Sequence, residues 1–177
     1  MTRKFVVIGG GPSGLFFALM AKRRLGVEAE VFEQNAADTT YGFGVVLAAG
    51  GHGRFRMAEP EAADAIAAAS FIARNRLFSL NGQEVFIEGG AWGGSIRRIT
   101  LLRILADLCK ARGIKVHHDV RIENPDRLEA DVIVGADGVH SVVRRAYEGA
   151  FGMTARTLQN RMAWYGTTRH YASPILS

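Results

Sequence analysis

The chain opens on a short, purely apolar run, Phe5-Val6-Val7-Ile8, that enters a glycine-rich turn. A β-branched run of this kind predicts a strand buried on both faces. Leu15, Phe16, Leu19 and Met20 then recur at helical spacing, and Gly26 offers a C-cap to the helix they predict. From Val27 to Phe32 the pattern changes to alternation, with Val27, Ala29 and Val31 set against Glu28 and Glu30. That predicts a second strand, ending at Glu33. Periodicity then lapses, because Asn35 to Gly53 is polar and afterwards rich in glycine. Glu59 to Arg74 reads as an alanine-rich helix starting near Pro60. Leu77 to Ile87 reads as a hairpin about Asn81-Gly82, a favoured type I′ turn. A second glycine cluster, Gly89 to Gly94, leads into a helix from about Arg98 to Arg112. Its apolar stripe is Leu101, Leu102, Leu105, Leu108 and Cys109. Ile114 to His117, Asp131 to Val134 and Arg161 to Thr168 read as further short strands. The expected class is α/β: a Rossmann-like parallel sheet with helices and a small β-hairpin or meander.

Composition narrows this modestly. A length of 177 residues suits one domain, or one domain and the start of another. Hydrophobic content of 48% and charged content of 22% are ordinary for a soluble globular protein. Lys22, Arg23 and Arg24 close the first apolar stretch well short of the roughly 20 residues that span a bilayer, so no membrane partner is expected. The first residues lack the pattern of a secretory signal. The single cysteine excludes an internal disulfide and suits a reducing compartment, so the cytoplasm is expected. Cys109 lies in the apolar stripe and reads as a core residue, not a nucleophile. The net charge of +5 is spread over short clusters that are not interleaved with aromatics. Nucleic acid is therefore not expected, although a basic surface also attracts small anions. His117 and His118 are adjacent on a predicted strand and point to opposite faces, so no metal site is expected.

The first candidate chemistry is the turn Gly9-x-Gly11-Pro12-Ser13-Gly14, set between strand and helix. Gly9 permits a tight turn, Gly11 lets a pyrophosphate approach the backbone, and Gly14 lets the helix pack close. The helix N-terminus offers free N–H groups and the positive end of its dipole to the phosphates. Glu33 stands 19 residues beyond Gly14, where a carboxylate can accept from ribose hydroxyls and repel a 2′-phosphate. Strand, triplet, helix, strand and acid in this order predict a dinucleotide site.

The continuation differs from that of an NAD domain, since no third strand–helix repeat follows Glu33. The stretch Tyr41-Gly42-Phe43-Gly44-Val45-Val46 could lay its backbone, at Gly44, against a flavin ring; it could also be a mobile loop that orders with ligand. Further on, Gly135-Ala136-Asp137-Gly138 follows a strand and precedes a helix. Asp137 there either holds ribose or ribityl hydroxyls, or is an Asp-Gly turn with an N-cap.

The glycine triplet with Glu33, Arg98-x-x-Leu101-Leu102-x-x-Leu105, and Gly135-Ala136-Asp137-Gly138-x-x-Ser141-x-x-Arg144 occur in that order. As a set they resemble the single-component, FAD-dependent aromatic hydroxylases of the p-hydroxybenzoate hydroxylase superfamily. Tyr41 to Val46 and Trp164-Tyr165-Gly166-Thr167 resemble the branch acting on aryl-CoA thioesters such as salicylyl-CoA and aminobenzoyl-CoA. The hydroxylases of violacein biosynthesis share similar stretches. The resemblance implies that Gly9, Gly11, Pro12, Ser13 and Gly14 hold the FAD pyrophosphate and Glu33 the adenosine ribose. It also implies FAD contact by Arg98, with Arg97 as the neighbouring register. Asp137, Gly138 and less directly Arg144 are implied in binding FAD and reduced nicotinamide. The implied reaction takes NAD(P)H and O2, forms a flavin C4a-hydroperoxide and hydroxylates a small aromatic substrate, with the cofactor supplying the difficult chemistry. No catalytic side chain is assigned.

The chain departs from that pattern in two ways. Superfamily members continue with a substrate-binding sheet and a later Gly-Asp-Ala segment, and neither follows within these residues. The acyl-CoA branch often carries an acid after the Gly-Val-Val stretch, where this chain has Ala48-Ala49-Gly50. The sequence thus predicts a FAD-binding domain over residues 1–155 and the start of a substrate-binding domain over 156–177, truncated before most of its sheet. The function classes are a monooxygenase or a non-catalytic FAD- or nucleotide-binding fragment, with a NAD-linked dehydrogenase a third.

Overall fold

A computed structural model describes residues 2–72, 75–89, 93–160 and 175–176. Trp92, Arg161 to Thr168 and the Trp164 to Thr167 stretch lie outside them. In chain order the elements are β1 (Lys4–Ile8), α1 (Pro12–Leu25), β2 (Glu28–Phe32), β3 (Gly44–Leu47), α2 (Ala49–Ala58), α3 (Pro60–Ala68) and β4 (Phe71–Ile72). There follow β5 (Arg76–Leu80), β6 (Gln83–Ile87), β7 (Gly94–Arg97), α4 (Arg98–Ala111), β8 (Lys115–His117), β9 (Val132–Gly135), α5 (Val142–Ala146), α6 (Glu148–Phe151) and β10 (Ile175–Leu176). They form two compact units: Met1–Tyr41 with Leu101–Met162, and Gly42–Thr100 with Ala163–Ser177.

The first unit is built on a parallel sheet of order β8-β2-β1-β9. Strand β1 is central and buried on both faces, with Phe5, Val6, Val7 and Ile8 between 0% and 7% exposed. Phe5 packs with Ala21 of α1 and with Val27. Val6 and Ile8 pack on the other face with Val143 of α5, flanked by Phe32, Ile122, Leu128 and Ile133. The alternation of a strand thus feeds two apolar layers at once, which an all-apolar run requires. Helix α1 ends as its sequence dictates: Gly26 takes the left-handed conformation at φ 61° and its N–H returns to the Lys22 carbonyl. The stripe of α4 buries Leu101, Leu105 and Cys109, and the Cys109 thiol lies 3.7 Å from the Leu15 carbonyl.

One expectation needs revision. A third parallel strand does join this sheet, since β8 pairs with β2, with Val31 opposite Val116. It was hidden because the Gly42–Thr100 part of the second unit is inserted in the chain between β2 and β8.

The second unit holds two small sheets, β10-β5-β6 and β3-β7-β4. The hairpin forms as its turn residues require, with Asn81 at φ 50° and Gly82 at φ 76°, both positive as a type I′ turn demands. Two other readings change. The stretch 35–53 is not one long loop, because Gly44 to Leu47 pairs antiparallel with Gly94 to Arg97 and α2 begins at Ala49. Gly93 makes the close approach possible: a Cβ there would meet the Leu47 carbonyl oxygen at 1.4 Å. The alanine-rich helix is also shorter than predicted, ending at Ala68 before β4. The Ser70 hydroxyl donates to the Ile66 carbonyl at 2.7 Å, the local side-chain-to-backbone bond that competes with helix continuation.

Candidate cofactor-binding site

The carboxyl ends of β1, β2 and β9 bring the glycine turn, Glu33 and the Asp137 segment to one end of the first unit's sheet. The connection from β1 runs through α1 to β2 on one side, whereas β9 lies on the other side of β1. Ligands of open α/β sheets bind at such a reversal of strand order.

The four glycines of the turn divide the work unevenly. Gly9 sits at φ 108°, and a Cβ on it would stand 2.4 Å from the Ala136 carbonyl oxygen. Gly14 could not carry one either, since it would lie 2.0 Å from the Gly9 carbonyl oxygen. A Cβ on Gly10 would meet Glu33 Cβ at 2.7 Å. Gly11 alone has nothing within 4 Å of where its Cβ would be. Gly9, Gly10 and Gly14 are therefore demanded by the protein's own packing, and Gly11 faces open space. Gly11 is also the extended N-cap of α1, no side chain caps the helix, and Pro12 fills its first turn. The first helical bond, from the Leu15 N–H to the Gly11 carbonyl, leaves the amides of the first turn to an outside acceptor. Ser13 is exposed beside them. This cradle suits a diphosphate.

Glu33 is half-buried at the end of β2. One carboxylate oxygen, Oε2, accepts from the Gly10 N–H at 2.7 Å. The other, Oε1, accepts from the Asn35 N–H at 2.8 Å and from Asn35 Nδ2 at 2.6 Å. The sequence pattern found Glu33 by its distance from the triplet. It missed Asn35, whose role depends on a turn that periodicity does not report.

Asp137 takes the arrangement read from its sequence as a turn with an N-cap. Its carboxylate accepts from the Ser141 hydroxyl and from the Val142 N–H, each at 2.6 Å, and Ser141 in turn caps α5 through the Arg144 N–H at 3.0 Å. Gly138 turns at φ 76°. The Arg144 guanidinium donates to the Val139 carbonyl and Arg145 Nη1 to the His140 carbonyl at 2.7 Å. The motif is thus a hydrogen-bonded turn packed against Gly9, and Arg145 belongs to it although no spacing rule pointed there.

The remaining candidates belong to the second unit. Gly44 pairs with Arg97 at the start of β3, where a Cβ would stand 3.2 Å from the Ile96 carbonyl oxygen. Between the two possible arginines the structure draws a distinction. Arg97 is exposed on β7, whereas Arg98 opens α4 with a buried Nε that has no hydrogen-bond partner. A buried, unsatisfied guanidinium nitrogen suits an external acceptor. His117 stacks on Phe32 with ring centroids 4.7 Å apart. No helix among the described residues is long and apolar enough to cross a membrane.

No protein-family model matches the chain. Among curated proteins it is 36% identical over 168 residues to 3-hydroxy-4-methyl-anthranilyl-[aryl-carrier protein] 5-monooxygenase of Streptosporangium sibiricum, a match covering 94% of this chain and 47% of the relative. It is 32% identical to salicyloyl-CoA 5-hydroxylase of a Streptomyces species, covering 93% of this chain and 32% of the relative. Among solved structures, 2-methyl-3-hydroxypyridine-5-carboxylic acid oxygenase superposes with a TM-score of 0.73 at 26% identity, over 82% of this chain and 42% of the other. CtdE, solved in complex with FAD, shares the fold with a TM-score of 0.66 at 21% identity, over 82% of this chain and 40% of the other. The chain spans less than half the length of these relatives. Over almost its whole length it is a relative of aromatic monooxygenases and hydroxylases, as its motifs led us to expect.

Proposed function

We propose that this chain binds the ADP half of FAD in the crevice at the ends of β1, β2 and β9, and forms the cofactor-holding part of an aromatic monooxygenase. The observation that carries the reading is the open space at Gly11, next to an uncapped helix N-terminus and to Glu33. The diphosphate would lie against Gly11, Ser13 and Gly14 and the ribose at Glu33, while the FAD contact of Arg98 is proposed on the family resemblance and on its unsatisfied Nε. When bound, FAD supplies the oxygen chemistry, with NAD(P)H as reductant and O2 as oxidant. The protein's residues bind and orient it, and no side chain among them is given an acid–base role. We read residues 1–155 as the cofactor domain and 156–177 as the start of the substrate domain, working in a reducing compartment suited to the lone buried thiol.

The names of both curated relatives describe an aromatic acyl group carried on a larger partner, a carrier protein or CoA. That supports an aryl thioester as the substrate class. The second reading is a FAD- or nucleotide-binding module without turnover of its own, in keeping with a site in which no side chain is given an acid–base role. Purified 177-residue protein should take up FAD, seen as flavin absorbance that remains with it on gel filtration. Oxygen uptake dependent on an aryl-CoA and NAD(P)H would establish the monooxygenase, and retained flavin without such uptake would select the second reading. Protein that, incubated with excess FAD or ADP, binds neither would overturn both.

A further inference from the structure

We infer that Asn35 is a positioning residue for the adenosine end of the cofactor: it fixes the Glu33 carboxylate so that one lone pair of Oε2 is held open toward the crevice. This rests on the nucleotide reading of that crevice.

A carboxylate offers about four acceptor positions, two on each oxygen. Asn35 fills both positions of Oε1, with its backbone N–H at 2.8 Å and its side-chain amide at 2.6 Å. The Gly10 N–H fills one position of Oε2 at 2.7 Å. Among the described residues nothing else donates to Glu33, so the remaining acceptor position is on Oε2. The two donors from Asn35 arrive from a single residue and prevent the carboxylate from exchanging its oxygens or rotating. The Tyr41 hydroxyl lies 3.4 Å from Asn35 Oδ1 and orients the amide in turn, so that Nδ2 faces Glu33. The backbone holds the same corner, because the Val120 N–H returns to the Glu33 carbonyl at 2.9 Å and the Asp119 N–H to the Asn35 carbonyl at 3.2 Å.

Two consequences follow from the donor and acceptor count. Gly10 belongs to the phosphate turn, so one carboxylate ties the turn to the hydroxyl acceptor. Asn35 therefore adjusts both through a residue that it touches, while itself remaining off the ligand. The donor is also essential, and shape alone is not enough. Asn35→Asp keeps the volume but sets a second carboxylate against Oε1, whereas Asn35→Ala removes the side-chain donor and leaves the backbone one.

The test compares ADP with 2′,3′-dideoxy-ADP by calorimetric titration of the full 177-residue chain. A hydroxyl donating to a charged acceptor gives the wild type a preference for ADP of about tenfold or more. Asn35→Ala and Asn35→Asp should bring that ratio down toward unity. A purely structural role would weaken both nucleotides equally and leave the ratio at its wild-type value, and that result would overturn the inference. Should Asn35→Ala fail to fold, the near-isosteric Asn35→Asp decides alone. Wild-type protein that binds neither nucleotide would overturn the crevice reading itself, a failure distinct from an unchanged ratio in the variants.

Discussion

The two units of this molecule bury their apolar residues to very different degrees. In the first, β1, α1 and β2 supply Val7, Leu19 and Val31 at 0% exposure, and the sheet is covered on both faces. In the second, Phe71, Ile72, Leu80, Val85 and Phe86 are each more than half exposed. The residue types are alike, so the difference lies in what packs against them. A parallel sheet arises from strand–helix crossovers, and each crossover brings its own cover. A hairpin brings none. Pairing along β5 and β6 is complete from Arg76 opposite Ile87 to Leu80 opposite Gln83, yet both faces of the β6 strand lie open. Stability should therefore be concentrated in the first unit, and the glycine turn belongs to that stable part.

The sharpest way to break this contrast is at the turn itself. Gly14→Ala places a methyl 2.0 Å from the Gly9 carbonyl oxygen, backbone against backbone, with no flexible side chain to yield. It should cost at least about 3 kcal/mol in urea unfolding. Gly11→Ala, with nothing within 4 Å, should change stability by less than about 0.5 kcal/mol while weakening ADP binding about tenfold or more. A pair of variants with equal midpoints would show that the turn is not packed as described.

That pair also shows how far the sequence could be read. The triplet spacing located the turn, and β1, α1 and β2 were legible because their apolar periods are unambiguous. Which glycine serves the fold and which serves the ligand was not legible. The partners of Gly9 are Ala136 and Asp137, more than a hundred residues further along the chain. Asn35 was invisible for a similar reason, since a polar residue after a strand carries no period. The second unit was read least well. Strands β3 and β7 are four residues each, and their glycine-rich sequences have little side-chain alternation to detect. Their pairing depends on a backbone approach at Gly93 that only the fold reveals.

A smaller effect probes the two cores directly. Leu19→Ala in α1 empties a fully buried site and should cost about 3 kcal/mol, within the usual range for such truncations. Phe86→Ser in β6 removes a larger side chain that is 51% exposed and opposite Leu77. It should cost under about 1 kcal/mol, the scale of a cross-strand pair. Chemical unfolding of the two variants beside the wild type measures both. Equal losses would mean that the hairpin is as firmly packed as the parallel sheet, and the contrast between the units would fail.

The last effect is confined to alkaline pH and tests the sealing of the first unit alone. Cys109 is fully buried in the stripe of α4, and burial pushes its thiol up to about 12 from an ordinary 9.0, partly offset by Arg112. Below pH 9 the folded and unfolded chains both hold the proton, and the full stability is present. Between pH 9 and about 12 the unfolded chain releases it and the folded one does not, so stability falls as pH rises and this contribution is lost once the folded thiol ionises. Cys109→Ala should lower stability at neutral pH by emptying part of the core, yet show a shallower decline above pH 9. Tyr147, held protonated by donating its hydroxyl to Asp126, contributes to the alkaline slope of both proteins and cancels in the comparison. Identical alkaline slopes would mean that water reaches the thiol between α4 and α1. The helix that presents the glycine turn would then be less firmly seated than its buried leucines imply.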